Sequence, residues 1–241
     1  VTDIRNIWFK RDGSIIRNEL RPLVTDLDSI PPADVELYDY ARYLRNNRMV
    51  TFVMGSRGCP YKCSYCVNAA LQKQYKGLGP FVRYRSVDSI IGEIRSTIDR
   101  HTTIRGIEFY DDTFTLDRRR MKDFCQKYGQ EVRLPFYINA RIEGLTEDMC
   151  IDLSDAGCKR VSVGLESGDI DIRQKVLNRR VEDDIIVEKA NLLHKHGIEL
   201  YTYNMIGIPG ETKEAIRKTI ELNRRIRPEN LTVSILNAFP G

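Results

Sequence analysis

The sequence is short of several things that would have decided its class at once. Its 241 residues include one tryptophan and three histidines, and 38 Lys+Arg set against 34 Asp+Glu leave a formal net charge of only +4. That surplus is too small to imply a polyanion partner, so nucleic acid is not expected. No apolar run approaches the roughly 18 residues of a membrane span, which removes the membrane class. There is no low-complexity segment and no repeat of residue identity. The chain opens Val1-Thr2-Asp3, with neither an initiator Met nor the basic-then-apolar pattern of a signal peptide, so we expect a piece of a longer, cytoplasmic protein. With 41% hydrophobic and 30% charged residues the composition is that of an ordinary globular domain. A chain this long buries roughly 70% of its unfolded surface without disulfide staples. Its six cysteines therefore need another explanation.

Residues 1 to 50 read as a leader. Ile7 to Lys10 and Ser14 to Arg17 flank Arg11-Asp12-Gly13, a hairpin signal. Pro22, Pro31 and Pro32 then suit an extended connector, and a short helix is expected around Leu37 to Arg45. From Thr51 to the end at 241 the chain alternates short β-branched or aromatic runs with stretches of helical period. Strands are expected to begin near 51, 104, 134, 160, 198 and 230, spaced widely enough for parallel strand-helix units. Ser86, Asp117, Thr146 and Thr212 stand where helix N-caps belong, and Gly157 and Gly197 where helices end.

Polar residues gather where these strands stop. Ile107-Glu108-Phe109-Tyr110 runs into Asp111-Asp112, Phe136-Tyr137-Ile138 into Asn139 and Arg141, and Val161 to Leu165 into Glu166-Ser167-Gly168. Tyr201 to Met205 leads into Gly207-Ile208-Pro209-Gly210-Glu211. Any one of these could be a turn former or a cap, but their recurrence at successive C-terminal ends favours a common cleft of the α/β type.

The first strand is followed by Cys59, Cys63 and Cys66, at Cys-x3-Cys-x2-Cys spacing. Thiolates this close repel one another unless a metal neutralises them. Disulfides fit poorly because three is odd and the other cysteines are distant. Structural zinc normally takes four ligands, and no fourth Cys or His lies near; a zinc-stabilised binding module without catalysis stays as the alternative. An iron-sulfur cluster suits three soft thiolates and would leave one iron open.

Cys59, Cys63 and Cys66, with Tyr65 before the third, resemble the signature of the radical S-adenosylmethionine (radical SAM) superfamily. The resemblance covers about 51 to 241 and implies a partial (β/α)6 TIM-like barrel of parallel strands. It implies that the three cysteines hold a [4Fe-4S] cluster whose open iron is chelated by S-adenosylmethionine. An electron then splits a carbon-sulfur bond to give a 5′-deoxyadenosyl radical that takes hydrogen from substrate. Tyr65 would lie near the adenine, Asp111 or Asp112 would receive the ammonium group, and Glu166 and Ser167 would meet the ribose or the methionine carboxylate. Arg141 or Arg179 would pair with that carboxylate, and the Met205, Ile206 and Gly207 backbone would border the adenine. Ser56-Arg57-Gly58-Cys59-Pro60, Asp111-Asp112-Thr113-Phe114, Asn178-Arg179 and the leader are similar to the cobalamin-associated members, in which such a leader joins a cobalamin-binding domain to the barrel. That branch implies cobalamin, methyl transfer or related carbon-centred chemistry, and an electron donor such as flavodoxin or ferredoxin. A methylthiotransferase acting on transfer RNA is the other enzyme reading. Substrate is not legible.

The remaining candidates have plainer readings. Cys125, Cys150 and Cys158 are expected to be core thiols, and His194, His196 and His101 to complement helix ends. Arg118-Arg119-Arg120 is expected to be a solvated helix face.

Overall fold

A computed structural model describes residues 2–237; Val1 and residues 238–241, the end of the span expected to form the barrel, lie outside it. The leader opens with the expected hairpin, β1 (Trp8–Arg11) against β2 (Ser14–Arg17), turned by Asp12 and Gly13 at φ 50° and 80°. Two short 3-10 turns, Leu27–Ser29 and Val35–Leu37, precede helix α1 (Tyr40–Asn46). The main chain then runs through β3 (Val50–Val53), β4 (Ser56–Arg57), α2 (Val67–Gln74), β5 (Arg83–Tyr84), α3 (Val87–Arg100) and β6 (Gly106–Phe109). It continues through α4 (Arg118–Glu131), β7 (Phe136–Ala140), α5 (Glu147–Asp155), β8 (Cys158–Glu166), α6 (Asp183–Lys195), β9 (Glu199–Ile206), α7 (Lys213–Ile226) and β10 (Asn230–Ile235).

Six strands form one parallel sheet in the order β10-β9-β8-β7-β6-β3. The spatial order follows the chain order without reversal. Because parallel crossovers share one hand, such an order places every helix on the same face, which is the winding of a barrel rather than of a doubly wound sheet. Six units leave β3 and β10 unpaired with each other, so the sheet is a curled half-barrel. The expected (β/α)6 architecture is therefore the observed one.

Helix starts follow local chemistry. Ser86, Asp117, Thr146 and Thr212 each accept a hydrogen bond from the backbone N–H three residues on, satisfying a donor that the first turn leaves free. The convex face carries the core. Val53, Ile107, Phe109, Phe136, Ile138, Val161, Val163 and Leu200 alternate inward along their strands against Ile90, Ile94, Met121, Phe124, Leu153 and Leu193 from the helices. Phe124 locks α4 to the sheet, its ring centroid 5.1 Å from Phe109, 5.1 Å from Phe114 and 5.6 Å from Phe136. Each such pair contributes about 0.5–1.5 kcal/mol beyond area burial.

Three of the six cysteines belong to this core. Cys125, Cys150 and Cys158 are buried, and burial pushes the Cys125 thiol up to about 12 and the Cys150 thiol up to about 11, which makes them inert packing groups. The histidines stand at helix ends, His101 as the last cap of α3 and His196 as that of α6. Among the described residues no helix is long and apolar enough to cross a membrane.

Candidate active site

The loops that follow the parallel strands lie at the C-terminal rim of the half-barrel, and the cysteine loop is tied to two of them, after β6 and after β8. The loop is rooted where β3 stops. Asp111, fully buried after β6, accepts hydrogen bonds from the Gly55 N–H at 2.9 Å and from the Ser56 hydroxyl. Arg120 donates from Nη2 to the Gly55 carbonyl at 2.8 Å and from Nε to the Arg85 carbonyl at 3.2 Å, and its guanidinium lies 5.0 Å from the Tyr84 ring. The expectation of a solvated face is thus corrected for Arg120: helix phase turns it inward while Arg118 stays exposed in an ion pair with Asp148. The β4–β5 ladder then sets Gly58 at φ +85°, where a Cβ would come within 2.3 Å of the Phe81 carbonyl oxygen. Only glycine fits there.

The far side of the loop is tied to the segment after β8. Ser64 donates from its N–H to the Leu177 carbonyl at 3.1 Å and from its hydroxyl to the Val176 carbonyl, and Asn178 Nδ2 donates to the Lys62 carbonyl at 2.8 Å. Gln72 of α2 reaches back to the carbonyls of Cys59 at 2.7 Å and Tyr61 at 3.0 Å. Between these ties the thiols sit on one short stretch, Cys63 buried and Cys59 and Cys66 half-buried. Arg141 Nη1 donates to Cys63 Sγ at 3.3 Å, and its guanidinium stacks 3.8 Å from the Tyr61 ring. Burial, with the Asp112 carboxylate adding to it, pushes the Cys59 thiol up.

The two adjacent acids after β6 now separate. Both Asp111 oxygens are committed to the loop root, and burial raises its pKa against those bonds. Asp112 is exposed at the rim, held by Asn68 Nδ2 at 3.0 Å. Of the pair, Asp112 is the one beside the cysteines.

Glu166 ends β8 at φ 66°, beside a register shift between β8 and β9. A bulky residue in the left-handed region costs on the order of 1–3 kcal/mol and is kept where the surroundings require it. Its Oε1 accepts the Tyr65 hydroxyl at 3.0 Å. Gly164 makes the space, since a Cβ there would lie 2.1 Å from Glu166 Oε1. Burial raises the Glu166 pKa, opposed by Arg179 and by Arg141, and burial together with the Glu166 charge raises that of Tyr65. A raised carboxylate stabilises the fold fully below its unfolded pKa and loses that contribution as pH rises through the folded value. Glu166→Gln, without ligands, is therefore expected to gain stability relative to the parent chain as pH rises from the ordinary carboxylate range towards 8, read by urea unfolding at each pH; a difference independent of pH would refute the raised value.

Arg141 is paired to Glu143 by Nε at 2.6 Å, and Arg179 Nη2 stands 3.5 Å from the other oxygen of Glu143. Arg179 Nε and Nη2 and Glu143 Oε2 are buried without a hydrogen-bond partner. Orphaned donors of a fixed cation are costly unless an acceptor arrives, so this corner fits an incoming carboxylate. Three thiols of soft donor character fit iron-sulfur ligation. Among the described residues no three of His, Cys, Asp or Glu converge on a single ion; the ligands of a four-iron cluster attach to separate irons and need not do so.

The other expected residues divide. Met205 joins an apolar cluster with Leu177, Ile172 and Ile208, against which Tyr65 packs. Ile206 is half-buried at the end of β9, and the Gly207 N–H donates to Glu211 at 2.7 Å. Ser167 is buried, and its hydroxyl accepts the Asp169 N–H at 3.2 Å, a turn-forming bond within its own loop. Sequence reasoning missed Arg173. It is fully buried on a π-helical turn (Ile172–Val176), donating to the Ser167 carbonyl at 2.8 Å, the Val181 carbonyl at 3.1 Å and the Asp183 carboxylate. It clamps the Glu166 and Arg179 loop, and no motif spacing marks it.

The family model of the Radical SAM superfamily matches residues 53–222. The chain belongs to the radical SAM superfamily. An uncharacterised methyltransferase of Pyrococcus horikoshii is 27% identical over 99% of this radical SAM chain and 50% of its own length. The anaerobic magnesium-protoporphyrin IX monomethyl ester cyclase of Rubrivivax gelatinosus is 23% identical over 95% of this chain and 40% of its own. Among solved structures, the radical SAM methyltransferase TsrM of Kitasatospora setae, with tryptophan and an S-adenosylmethionine analogue bound, superposes with a TM-score of 0.78 at 18% identity, over 97% of this chain and 46% of its own. The cobalamin-dependent radical SAM enzyme OxsB gives 0.71 at 18%, over 92% and 32%. These structural likenesses show the fold. The chain spans about half or less of the length of the relatives it matches.

Proposed function

We propose that this chain is the catalytic core of a radical SAM enzyme, with Cys59, Cys63 and Cys66 holding a four-iron four-sulfur cluster and the adjoining rim holding S-adenosylmethionine. The observation that carries the reading is the tie between the three-thiol loop and the loop that presents Glu166 and the orphaned donors of Arg179. When bound, the cluster and S-adenosylmethionine supply reductive carbon-sulfur cleavage and a carbon-centred radical able to take hydrogen from substrate.

The chain's own side chains bind and orient. Arg179 offers a fixed-charge fork to the methionine carboxylate, with Arg141 kept beside Cys63 by Glu143. Asp112, exposed and steadied by Asn68, faces the ammonium group. Tyr65, Met205 and the backbone before Gly207 form the adenine wall, and Glu166 meets the ribose. Burial of this corner keeps water from the reacting centre. Asp111 and Arg120 act at one remove, positioning the loop root.

The methyltransferase and cobalamin-dependent relatives support methyl transfer to carbon or related chemistry, with cobalamin held by another part of the protein and residues 1 to 50 as the junction to it. The test is anaerobic reconstitution with iron and sulfide, reduction with dithionite and incubation with methyl-labelled S-adenosylmethionine. Formation of 5′-deoxyadenosine and methionine is expected. Zinc in place of iron in anaerobically purified protein would overturn the reading in favour of a zinc-stabilised module.

A further inference from the structure

Arg141 and Arg179 are both buried, but they are not equivalent. Arg179 keeps Nε and Nη2 without hydrogen-bond partners, whereas every nitrogen of Arg141 is engaged. Arg141 Nε donates to Glu143 Oε1 at 2.6 Å, Nη2 pairs with the same oxygen, and Nη1 donates to Cys63 Sγ at 3.3 Å. The face of the guanidinium is taken as well, 3.8 Å from the Tyr61 ring. No edge is left for a forked contact to an incoming carboxylate, so the charge of Arg141 is spent on the cysteine loop.

Backbone geometry fixes this arrangement. Arg141 follows β7 and caps the 3-10 turn Ile142–Gly144, its carbonyl accepting the Gly144 N–H at 3.1 Å, and that turn brings Glu143 back to the guanidinium. Among the described residues Arg141 is the only charged donor to any of the three thiols. The contact between Cys59 Sγ and the Thr113 hydroxyl is uncharged and long, at 3.8 Å, and that hydroxyl donates to the Asp112 carbonyl at 2.8 Å. Cys63 is thus singled out, buried and bonded to a fixed cation.

An iron-sulfur cluster gains one negative charge when it is reduced, and its ligand sulfurs share in that charge. A hydrogen bond from a cation to such a sulfur favours the more negative state and raises the reduction potential. In a buried site that attraction is little screened. Glu143 works against it. Its carboxylate sits on the other edge of the guanidinium, and its Oε2 has no hydrogen-bond partner, with Arg179 Nη2 3.5 Å away.

We propose that Arg141 sets the reduction potential of the cluster: its guanidinium raises the potential through Cys63, and Glu143 limits the rise. This role depends on the cluster assignment above, and it concerns the chain before S-adenosylmethionine binds. The step is the passage of one electron from an external one-electron reductant to the cluster, from its 2+ to its 1+ level. No bond breaks and no proton moves, because a guanidinium stays protonated throughout.

The test is a redox titration of the anaerobically reconstituted chain without S-adenosylmethionine, followed by the electron paramagnetic resonance signal of the reduced cluster. Parent, Arg141→Met and Glu143→Gln are compared; the midpoint belongs to the clusters present, so unequal loading does not shift it. Arg141→Met removes the charge and keeps much of the volume. Its ratio of reduced to oxidised cluster at a given applied potential is expected to fall about tenfold, which for a one-electron couple is a midpoint lower by about 59 mV. Glu143→Gln keeps an oxygen to hold Arg141 and removes the opposing charge, so its midpoint is expected to rise. Opposite shifts from the two halves of one ion pair are what a charge effect gives and what loosening of the turn does not. An Arg141→Met midpoint equal to or above the parent's, or a Glu143→Gln midpoint equal to or below it, would overturn the proposal. Should Arg141→Met take up no cluster, the direction of the Glu143→Gln shift decides alone. A parent chain that takes up no cluster defeats the enzyme reading; a loaded parent with three equal midpoints leaves that reading intact and removes only this role for Arg141.

Discussion

Cys63→Ala is expected to hold about a hundredfold less cluster iron after reconstitution, or none, and to cleave S-adenosylmethionine at background. With only three protein thiols available, losing one leaves two ligands for four irons. The substitution should spare the fold, because Arg141, which donates to Cys63 Sγ, keeps Glu143 and the Tyr61 ring as partners. Thermal stability of the metal-free chain is therefore expected to fall by no more than about 1 kcal/mol. Cys125→Ala supplies the contrast. That thiol packs inside the core, so its loss should leave cluster iron and cleavage unchanged while costing some stability. Iron contents read side by side decide the matter: equal iron in Cys63→Ala and parent chain would contradict the assignment.

Arg173→Met should give the largest stability effect. The guanidinium is fully buried and answers two carbonyls and one carboxylate; methionine fills much of its volume and answers none of them. Breaking a buried charged network from one side costs about 3–5 kcal/mol. For a chain of this size that is a fall of roughly 10 °C in the unfolding midpoint. Function should suffer as well, because the Arg173 carbonyl accepts the Arg179 N–H at 2.8 Å and the following turn carries the bonds to Ser64. Arg173→Lys restores one charged donor and should recover part of the midpoint. A midpoint within a degree or two of the parent for Arg173→Met would show that the clamp is not what holds this loop.

These two residues also mark what could be read before the fold was known. Cys63 announced itself by spacing. The parallel strands were legible for a related reason: β-branched runs, helix caps and glycines act over a few residues, so Val50, Gly106, Phe136, Cys158, Glu199 and Asn230 all begin strands within about two positions of expectation. Arg173 carried no local signal, since its partners at 167, 181 and 183 are chosen by how the loop folds back. Arg120 was lost within a run of three arginines, where helix phase alone decides which one turns inward. Asp111 and Asp112 could not be separated either. Adjacent residues at a strand end point to different sides, but which side each takes is set by the Gly55–Ser56 turn that arrives from another strand.

The most direct test of the central claim is the Mössbauer spectrum of the chain reconstituted with ⁵⁷Fe, recorded with and without S-adenosylmethionine. Three cysteines and an open site predict a four-iron cluster in which one iron changes its parameters when S-adenosylmethionine is added and three do not. Four irons that all stay unchanged on addition, or no cluster in the parent chain, would contradict it.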